Sequence, residues 1–334
     1  MPADIAKRTL LWPSSPRVEY ADVPREVEQS FQNEFPQVAI VVARSDQVLE
    51  AHLPDCEILV AMKILPEQFA RCRKLRWIHS PMAGVTPLLF PELVSSRVIL
   101  TNASTVHSVP VAEHTLALLL ALARRLPDSF RYQAEHRWGR DDSWQPGRVP
   151  FELQGKTLGL VGLGTIGREL IARVRPLGMR VLATKRDPSH GGEIADRVYA
   201  AHELTALLAE ADFLVLAAPD TPETRHLIGR SELARMKPGA YLINVSRGTL
   251  VDTEALLEAL ATGRIAGAAL DVTDPEPLPP DHPLWKLPNV LITPHLGGAS
   301  SLFWQRESTL LRENLRRYLA GEPLQNLVDK KRGY

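Results

Sequence analysis

Three stretches of this 334-residue chain place residues suited to proton transfer or anion binding directly after apolar runs of strand length. INVSRGTLVD carries Arg247, ALDVTDPEPLPPDHPLW carries Asp271 and Glu276, and VLITPHLGGAS carries His295. A guanidinium is a planar fork that matches a carboxylate. An imidazole changes charge near neutral pH and can give or take a proton. A glutamate hydrogen-bonded to such a ring fixes its tautomer and stabilises the imidazolium. Each also has a plainer reading: Arg247 as a surface ion-pair partner, Glu276 as a solvated acid in a proline-rich turn, His295 as a hydrogen-bonded strand-end residue. A histidine–carboxylate pair without a serine nucleophile does not imply hydrolysis.

Upstream, KTLGLVGLGTIGRELIARV holds Gly162, Gly164 and Gly167 as G-x-G-x-x-G between an apolar strand and an amphipathic helix. That context points to dinucleotide binding, with a purely structural turn as the alternative. Gly162 permits the tight turn, Gly164 lets the backbone approach a pyrophosphate, and Gly167 lets helix and strand pack closely. The free N–H groups of the helix amino terminus then face the anion. Dinucleotide sites of the NAD type usually place an acid at the end of the next strand, for the ribose hydroxyls. In MRVLATKRDP that place is taken by Lys185 and Arg186, with Asp187 following. The cationic pair favours the extra phosphate of NADP(H); NAD(H) stays open if Asp187 bends back to the ribose.

Elements must position these residues. From Arg8 to Thr101, the runs RTLLW, QVAIVVA, EILVAM, LRWIHS and RVILTN have strand length, while Pro24 to Phe35 and Pro66 to Arg71 suit helices or turns. The alternation predicts a parallel, doubly wound sheet. The long segment VPVAEHTLALLLALARRLPDSFRYQ is apolar on most sides at first and then amphipathic, and reads as a helix buried between domains or subunits. Residues 138 to 154 read as an irregular connection. A second alternating series starts at Lys156, with TLGLVGLG, MRVLAT, ADFLVLAAP, GAYLINVS, IAGAALDV and NVLITPH as strands. A helix over Asp252 to Thr262 would end at Gly263. Two such sheets in tandem imply a cleft, and ligands of open α/β sheets bind beyond the carboxyl ends of the strands.

Hydrophobic residues make up 45% of the chain, ample for two cores, and Lys plus Arg equals Asp plus Glu at 39 each. The balance gives no bias toward nucleic acid or an anionic membrane. Cys56 and Cys72 lack metal-ligand spacing and read as reduced thiols of a cytoplasmic protein, with no metal expected. MPADIAKRTLLWPSSPR offers no apolar segment long enough for a secretory signal before Pro13. The apolar stretch Thr115 to Ala123 is about half a membrane span and reads as a buried helix.

Taken in order, G-L-G-T-I-G, N-V-S-R-G, D-V-x-x-x-E-P and T-P-H-x-G-G resemble the D-isomer-specific 2-hydroxyacid dehydrogenase family, which includes glyoxylate/hydroxypyruvate reductases, D-lactate dehydrogenases and phosphoglycerate dehydrogenases. The resemblance is strongest from about Asn102 to Gly298. It implies hydride transfer between NAD(P)H and a small 2-oxo or D-2-hydroxy acid. Arg247 would bind the carboxylate and polarise the carbonyl, His295 would act as general acid in reduction and general base in oxidation, and Glu276 would orient the ring. Thr165, Ile166, Ala218, Pro219, Val245 and Gly297 would surround the cofactor. Asp271 would sit near the nicotinamide carboxamide, or else only cap its strand end. SPMAGV at 80 to 85 resembles the loop whose N–H groups hold the substrate carboxylate, which assigns that task to Ala83 and Gly84. Met82 and His79 would line the pocket or pack in the core, and His107 and Glu113 match a family helix start, with capping or an interdomain role as the alternative.

The implied architecture is α/β, with two doubly wound parallel-sheet domains. A Rossmann dinucleotide-binding domain at 105–300 is inserted into a flavodoxin-like substrate domain formed by 1–104 and 301–334. ESTLLRENLRRYLAGEP would be the helix that returns to the first domain, and the crossings near 102 to 106 and 298 to 302 would form a hinge. The apolar helix from Pro110 and the loop bearing Trp138 and Trp144 suggest a homodimer interface, with burial inside one chain as the alternative. Two rival functions belong to relatives on the same scaffold: a dinucleotide-sensing corepressor, and formate dehydrogenase. The formate enzyme pairs its histidine with a glutamine, so Glu276 speaks against it.

Overall fold

The computed structural model describes residues 8–14, 22–189 and 191–334; of the amino-terminal stretch weighed for a secretory signal, only Arg8–Ser14 falls among them. The chain divides into two compact units, Met1–His107 with Ser300–Tyr334, and Ser108–Ala299.

In the first unit, β1 (Arg8–Pro13), β2 (Val38–Ala43), β3 (Ile58–Val60), β4 (Trp77–Ser80) and β5 (Ile99–Asn102) form a five-stranded sheet in the order β2-β1-β3-β4-β5. Every pairing is parallel. Alternate side chains of a strand point to opposite faces, and β1 supplies both. Leu10 and Trp12 join Phe31, Leu311 and Leu315 on one side, whereas Leu11 joins Leu53, Ile78 and Leu88 on the other. Burial on both faces is why these strands read as unbroken apolar runs. The helix Phe303–Ala320 closes the first side with its apolar stripe and ends at Gly321, whose φ of 73° suits a residue without a side chain. Arg312 of this helix pairs with Glu34 at 2.6 Å, and the Tyr318 hydroxyl donates to Glu57 at 2.7 Å.

The second unit holds β6 (Thr157–Val161), β7 (Arg180–Lys185), β8 (Arg197–Ala200), β9 (Phe213–Leu216), β10 (Tyr241–Asn244), β11 (Gly267–Leu270) and β12 (Val290–Ile292). They form a parallel seven-stranded sheet in the order β12-β11-β10-β9-β6-β7-β8. Strand order reverses between β6 and β9, the place where such sheets open a ligand crevice. The helix expected from Asp252 runs over Thr253–Ala261; the Asp252 side chain accepts from the Ala255 N–H at 3.1 Å, and Gly263 follows at φ 69°. That is an N-cap and a glycine stop.

Three local expectations need adjustment. The edge strand β8 was not expected, because RVYA is only four residues long and alternates half-exposed with buried positions. The long apolar helix spans Ser104–Ala123, so Pro110 lies inside it and forgoes one backbone hydrogen bond, and the expected single helix breaks at Arg125, held at φ 54°, before a second helix over Leu126–Ala134. This helix is long and apolar enough to cross a membrane, yet its residues Val111, Ala112, Leu118, Leu119 and Leu122 pack in the core of the second unit. Within 138–154, a single helical turn at Arg140–Ser143 interrupts the irregular path.

Candidate functional site

The glycine turn follows β6 and leads into the helix Thr165–Val174. Gly162 has φ 100°, and a Cβ there would lie 2.7 Å from the Ala217 carbonyl oxygen, so both conformation and space demand glycine. At Gly167 a Cβ would meet Leu160 at 2.7 Å, the close helix–strand contact expected of the third glycine. A Cβ on Gly164, by contrast, would meet nothing within 4 Å. Gly164 and Thr165 are exposed and Ile166 is half-buried, at a helix start whose first N–H groups have no partner within the helix. A pyrophosphate fits this open, positively polarised cradle. Ala218 and Pro219, the buried and exposed residues that follow β9, lie across the reversal of strand order from it.

At the end of β7, Lys185 is half-buried and Arg186 exposed. Asp187 Oδ1 accepts from the Ser189 N–H at 3.1 Å and the Ser189 hydroxyl at 2.6 Å, an Asx-type turn that occupies this carboxylate locally.

The clearest chemical grouping lies past β11 and β12. His295 Nδ1 is 2.6 Å from Glu276 Oε1, with side chains 44% and 40% exposed, so the pair is open to a ligand. The backbone of His295 is held at φ 53°, in the left-handed region that few side chains favour. Its N–H donates to the Asp271 and Thr293 carbonyls at 2.9 and 3.0 Å. The Asp271 side chain, only 3% exposed, accepts from the Thr293 hydroxyl at 2.6 Å and from the Leu296 and Gly297 N–H groups at 2.9 Å each. His114 Nε2 lies 3.2 Å from Asp271 Oδ1 and 3.0 Å from Thr293 Oγ1. Burial pushes the Asp271 carboxyl up, but the hydrogen bonds from His114, Thr293, Gly297 and Leu296 outweigh it and hold the group down at about 2. A fixed anion thus ties down the Thr293 side chain before His295 and the Leu296 and Gly297 backbone after it. These bonds are the strand-end role considered for Asp271. Gly297 is buried against this clamp, where a Cβ would fall 2.8 Å from Asp271 Oδ2.

Arg247 follows β10 and is half-buried; its guanidinium donates to the Ser246 carbonyl at 2.6 Å, and no hydrogen bond or ion pair joins it to Glu276 or His295. Asn244 steadies this turn, donating to the Arg247 carbonyl at 2.8 Å and accepting from the Ser246 N–H at 3.1 Å. Val245 is buried, and the Ser246 hydroxyl donates to the Ala218 carbonyl. Gly248 comes next, where a Cβ would lie 2.0 Å from the Thr273 backbone. The arginine turn therefore presses directly on the loop that carries Glu276. Sequence reasoning missed Gly248, His114 and Thr293. An SRG and a TPH tripeptide hint at the first and last, while nothing local marks His114.

In the first unit, Ala83 and Gly84 follow β4 and are half-exposed. Asn102 donates to the Ala83 carbonyl at 2.8 Å, whereas the N–H groups of Ala83 and Gly84 donate to no group among the described residues. His79 takes the core role: fully buried, it lies 2.8 Å from Thr101 Oγ1 and 3.0 Å from Glu307 Oε1. His107 Nε2 donates to the Pro81 carbonyl at 3.0 Å. In the second unit Glu113 pairs with Arg173 at 3.2 Å.

Residues 116–297 match the family model described as D-isomer specific 2-hydroxyacid dehydrogenase, NAD binding domain. A glyoxylate reductase of Korarchaeum cryptofilum is 37% identical over 294 residues, which cover 86% of this chain and 87% of that protein. A glyoxylate/hydroxypyruvate reductase B of Pectobacterium carotovorum is 42% identical over 260 residues, 77% of this chain and 79% of the relative. Among solved structures, a D-isomer specific 2-hydroxyacid dehydrogenase from Xanthobacter autotrophicus Py2, in complex with NADPH and MES, aligns with a TM-score of 0.81 at 30% identity, covering 98% of this chain and 99% of that one.

Proposed function

This chain belongs to the D-isomer specific 2-hydroxyacid dehydrogenase family, and from that premise we propose that it reduces a small 2-oxo acid of the glyoxylate or hydroxypyruvate type to the D-2-hydroxy acid, with NADPH as the favoured donor. The protein is an NAD(P)-dependent oxidoreductase with two α/β domains. The observation that carries the catalytic reading is the 2.6 Å bond between His295 and Glu276, made by two exposed residues past the carboxyl ends of neighbouring strands.

The dinucleotide supplies a hydride to the substrate carbonyl carbon, and the chain supplies the rest. Glu276 holds Nδ1–H, so Nε2 of His295 is left to deliver the proton to the developing alkoxide. After transfer the ring is neutral and keeps Nδ1–H toward the carboxylate; oxidation reverses both moves. Arg247 turns from the Ser246 carbonyl to pair with the substrate carboxylate and polarise the carbonyl. Ala83 and Gly84 add their N–H groups, which no described residue accepts, to that carboxylate. Gly162, Gly164, Thr165, Ile166 and Gly167 would cradle the pyrophosphate, with Ala218, Pro219, Val245 and Gly297 along the rest of the cofactor, while Asp271 serves through the turn that its carboxylate holds. Lys185 and Arg186 take the additional phosphate of NADP(H), a reading supported by the engagement of Asp187 with Ser189.

On this reading residues 105–300 form the dinucleotide domain, and 1–104 with 301–334 the substrate domain. The protein acts as a soluble cytoplasmic homodimer without nucleic-acid or membrane partners. Steady-state assays of glyoxylate and hydroxypyruvate with NADPH and with NADH test the proposal. A kcat/KM higher with NADPH is expected; a clear preference for NADH removes the cofactor assignment, and no turnover of any 2-oxo acid favours a dinucleotide-binding regulator instead.

A further inference from the structure

The first unit contains a cavity of about 710 Å³ that the reaction of a very small acid leaves unexplained. Its walls are mostly apolar and come from the carboxyl ends of the sheet: Trp12 and Pro13 at the end of β1, Ala43 at the end of β2, Met62 and Lys63 beyond β3, and Met82 beyond β4. The chain runs from β1 outward to β2 and then back to β3, so this is where strand order reverses in the five-stranded sheet. Aromatic rings build one side. Trp12 and Trp304 have centroids 5.8 Å apart, and Phe303 meets Trp304 edge-on at 5.1 Å. Trp304 also keeps a buried indole N–H that no group among the described residues accepts, an uncommon state for a buried donor. Met62 stays 38% exposed at the wall.

Met82 belongs both to this wall and to the segment leading into Ala83 and Gly84. We infer that the cavity is the subsite for the substituent of the 2-oxo acid, so that beside the small acids of the proposed function the enzyme takes substrates with a bulky apolar or aromatic substituent, as in phenylpyruvate, and turns them over with a higher kcat/KM than glyoxylate. The inference rests on the reading that Ala83 and Gly84 hold the substrate carboxylate. With the carboxylate anchored there, the chain beyond the carbonyl carbon extends along Met82 toward the indoles. Water filling an apolar cavity is released when such a substituent enters, whereas glyoxylate gains nothing from it. A distal anion finds less support: of the two cations in the wall, Arg44 is already bonded to Glu28 at 2.9 Å and to the Val23 carbonyl at 3.0 Å, and Lys63 shares the wall with the carboxylate of Asp46.

The test is a kcat/KM series with NADPH and NADH over glyoxylate, hydroxypyruvate, 4-methyl-2-oxopentanoate, phenylpyruvate and 2-oxoglutarate. Phenylpyruvate should exceed glyoxylate at least about tenfold, the scale on which apolar pockets discriminate. Met62→Glu and Trp304→Phe should each lower the phenylpyruvate-to-glyoxylate ratio, the first at least tenfold. Met62 is exposed, so its replacement does not open the core. Turnover of glyoxylate without preference for phenylpyruvate, a preference for 2-oxoglutarate, or a ratio unmoved in both variants overturns this inference and leaves the reductase reading standing. Turnover of no 2-oxo acid overturns both.

Discussion

His295 combines an exposed ring, a carboxylate partner and a left-handed backbone, and each has a measurable consequence. His295→Gln should lower kcat about 10²–10⁴-fold, the usual contribution of a general acid, with an unchanged circular dichroism spectrum. Glu276→Gln should cost less, because the ring remains. Since φ is 53°, His295→Gly should be at least as stable to denaturant as His295→Ala, although both are inactive. Asp271 gives a pH signature of its own. Its carboxyl lies at about 2 in the folded chain against an ordinary 3.8, so the folded state keeps the charge longer than the unfolded one. The stability it contributes is whole above the ordinary value and is lost as pH falls from about 4 through about 2, roughly 2 kcal/mol in all. Denaturation curves across that range should show the loss in the parent protein and not in Asp271→Asn. The pairing of Glu276 with His295 was legible in the sequence because each stands past a strand in a recognisable run. The clamp formed by Asp271, Thr293 and His114 was not, since it joins residues from three distant segments through side chains that no periodicity marks.

Two glycines separate the work of a turn from the work of a cradle. Gly248 lets the Arg247 turn touch the Thr273 backbone, where a Cβ would fall at 2.0 Å. Gly248→Ala should therefore cost about 1–3 kcal/mol in denaturant unfolding and lower kcat as well, because the turn and the Glu276 loop must part. Gly164 faces open space, so Gly164→Val should melt near the parent temperature while raising the KM for NADPH at least about tenfold. Normal cofactor affinity in that variant would remove the cradle assignment. Strands buried on both faces were easy to read as apolar runs, and the helix ending at Gly263 carried its own stop. Short β8 escaped because an edge strand with one buried residue has neither an apolar run nor a long alternation. Pro110 drew the predicted helix start too late, since a proline is a starting signal only when no earlier turn can hold it.

Both units build on parallel sheets, but they differ in how the chain composes them. The inserted unit, Ser108–Ala299, draws all its strands from one continuous stretch. It also exposes Trp138 and Trp144, at 89% and 70%. If these rings meet a second copy, Trp138→Ser with Trp144→Ser should shift the protein from dimer to monomer in sedimentation at micromolar concentration, and a parent protein already monomeric would exclude the interface. The first unit is assembled from both ends of the chain. Leu311 and Leu315 of the helix Phe303–Ala320 lie in the same core as Trp12 and Phe31, and Glu307 meets His79 within it. During synthesis, then, β1 to β5 leave the ribosome before the inserted unit yet cannot close their core until the helix Phe303–Ala320 emerges. The inserted unit can complete itself while its host waits half-built, so a chain truncated after Ala299 should protect the middle of the sequence from protease and leave the strands before it open to cleavage.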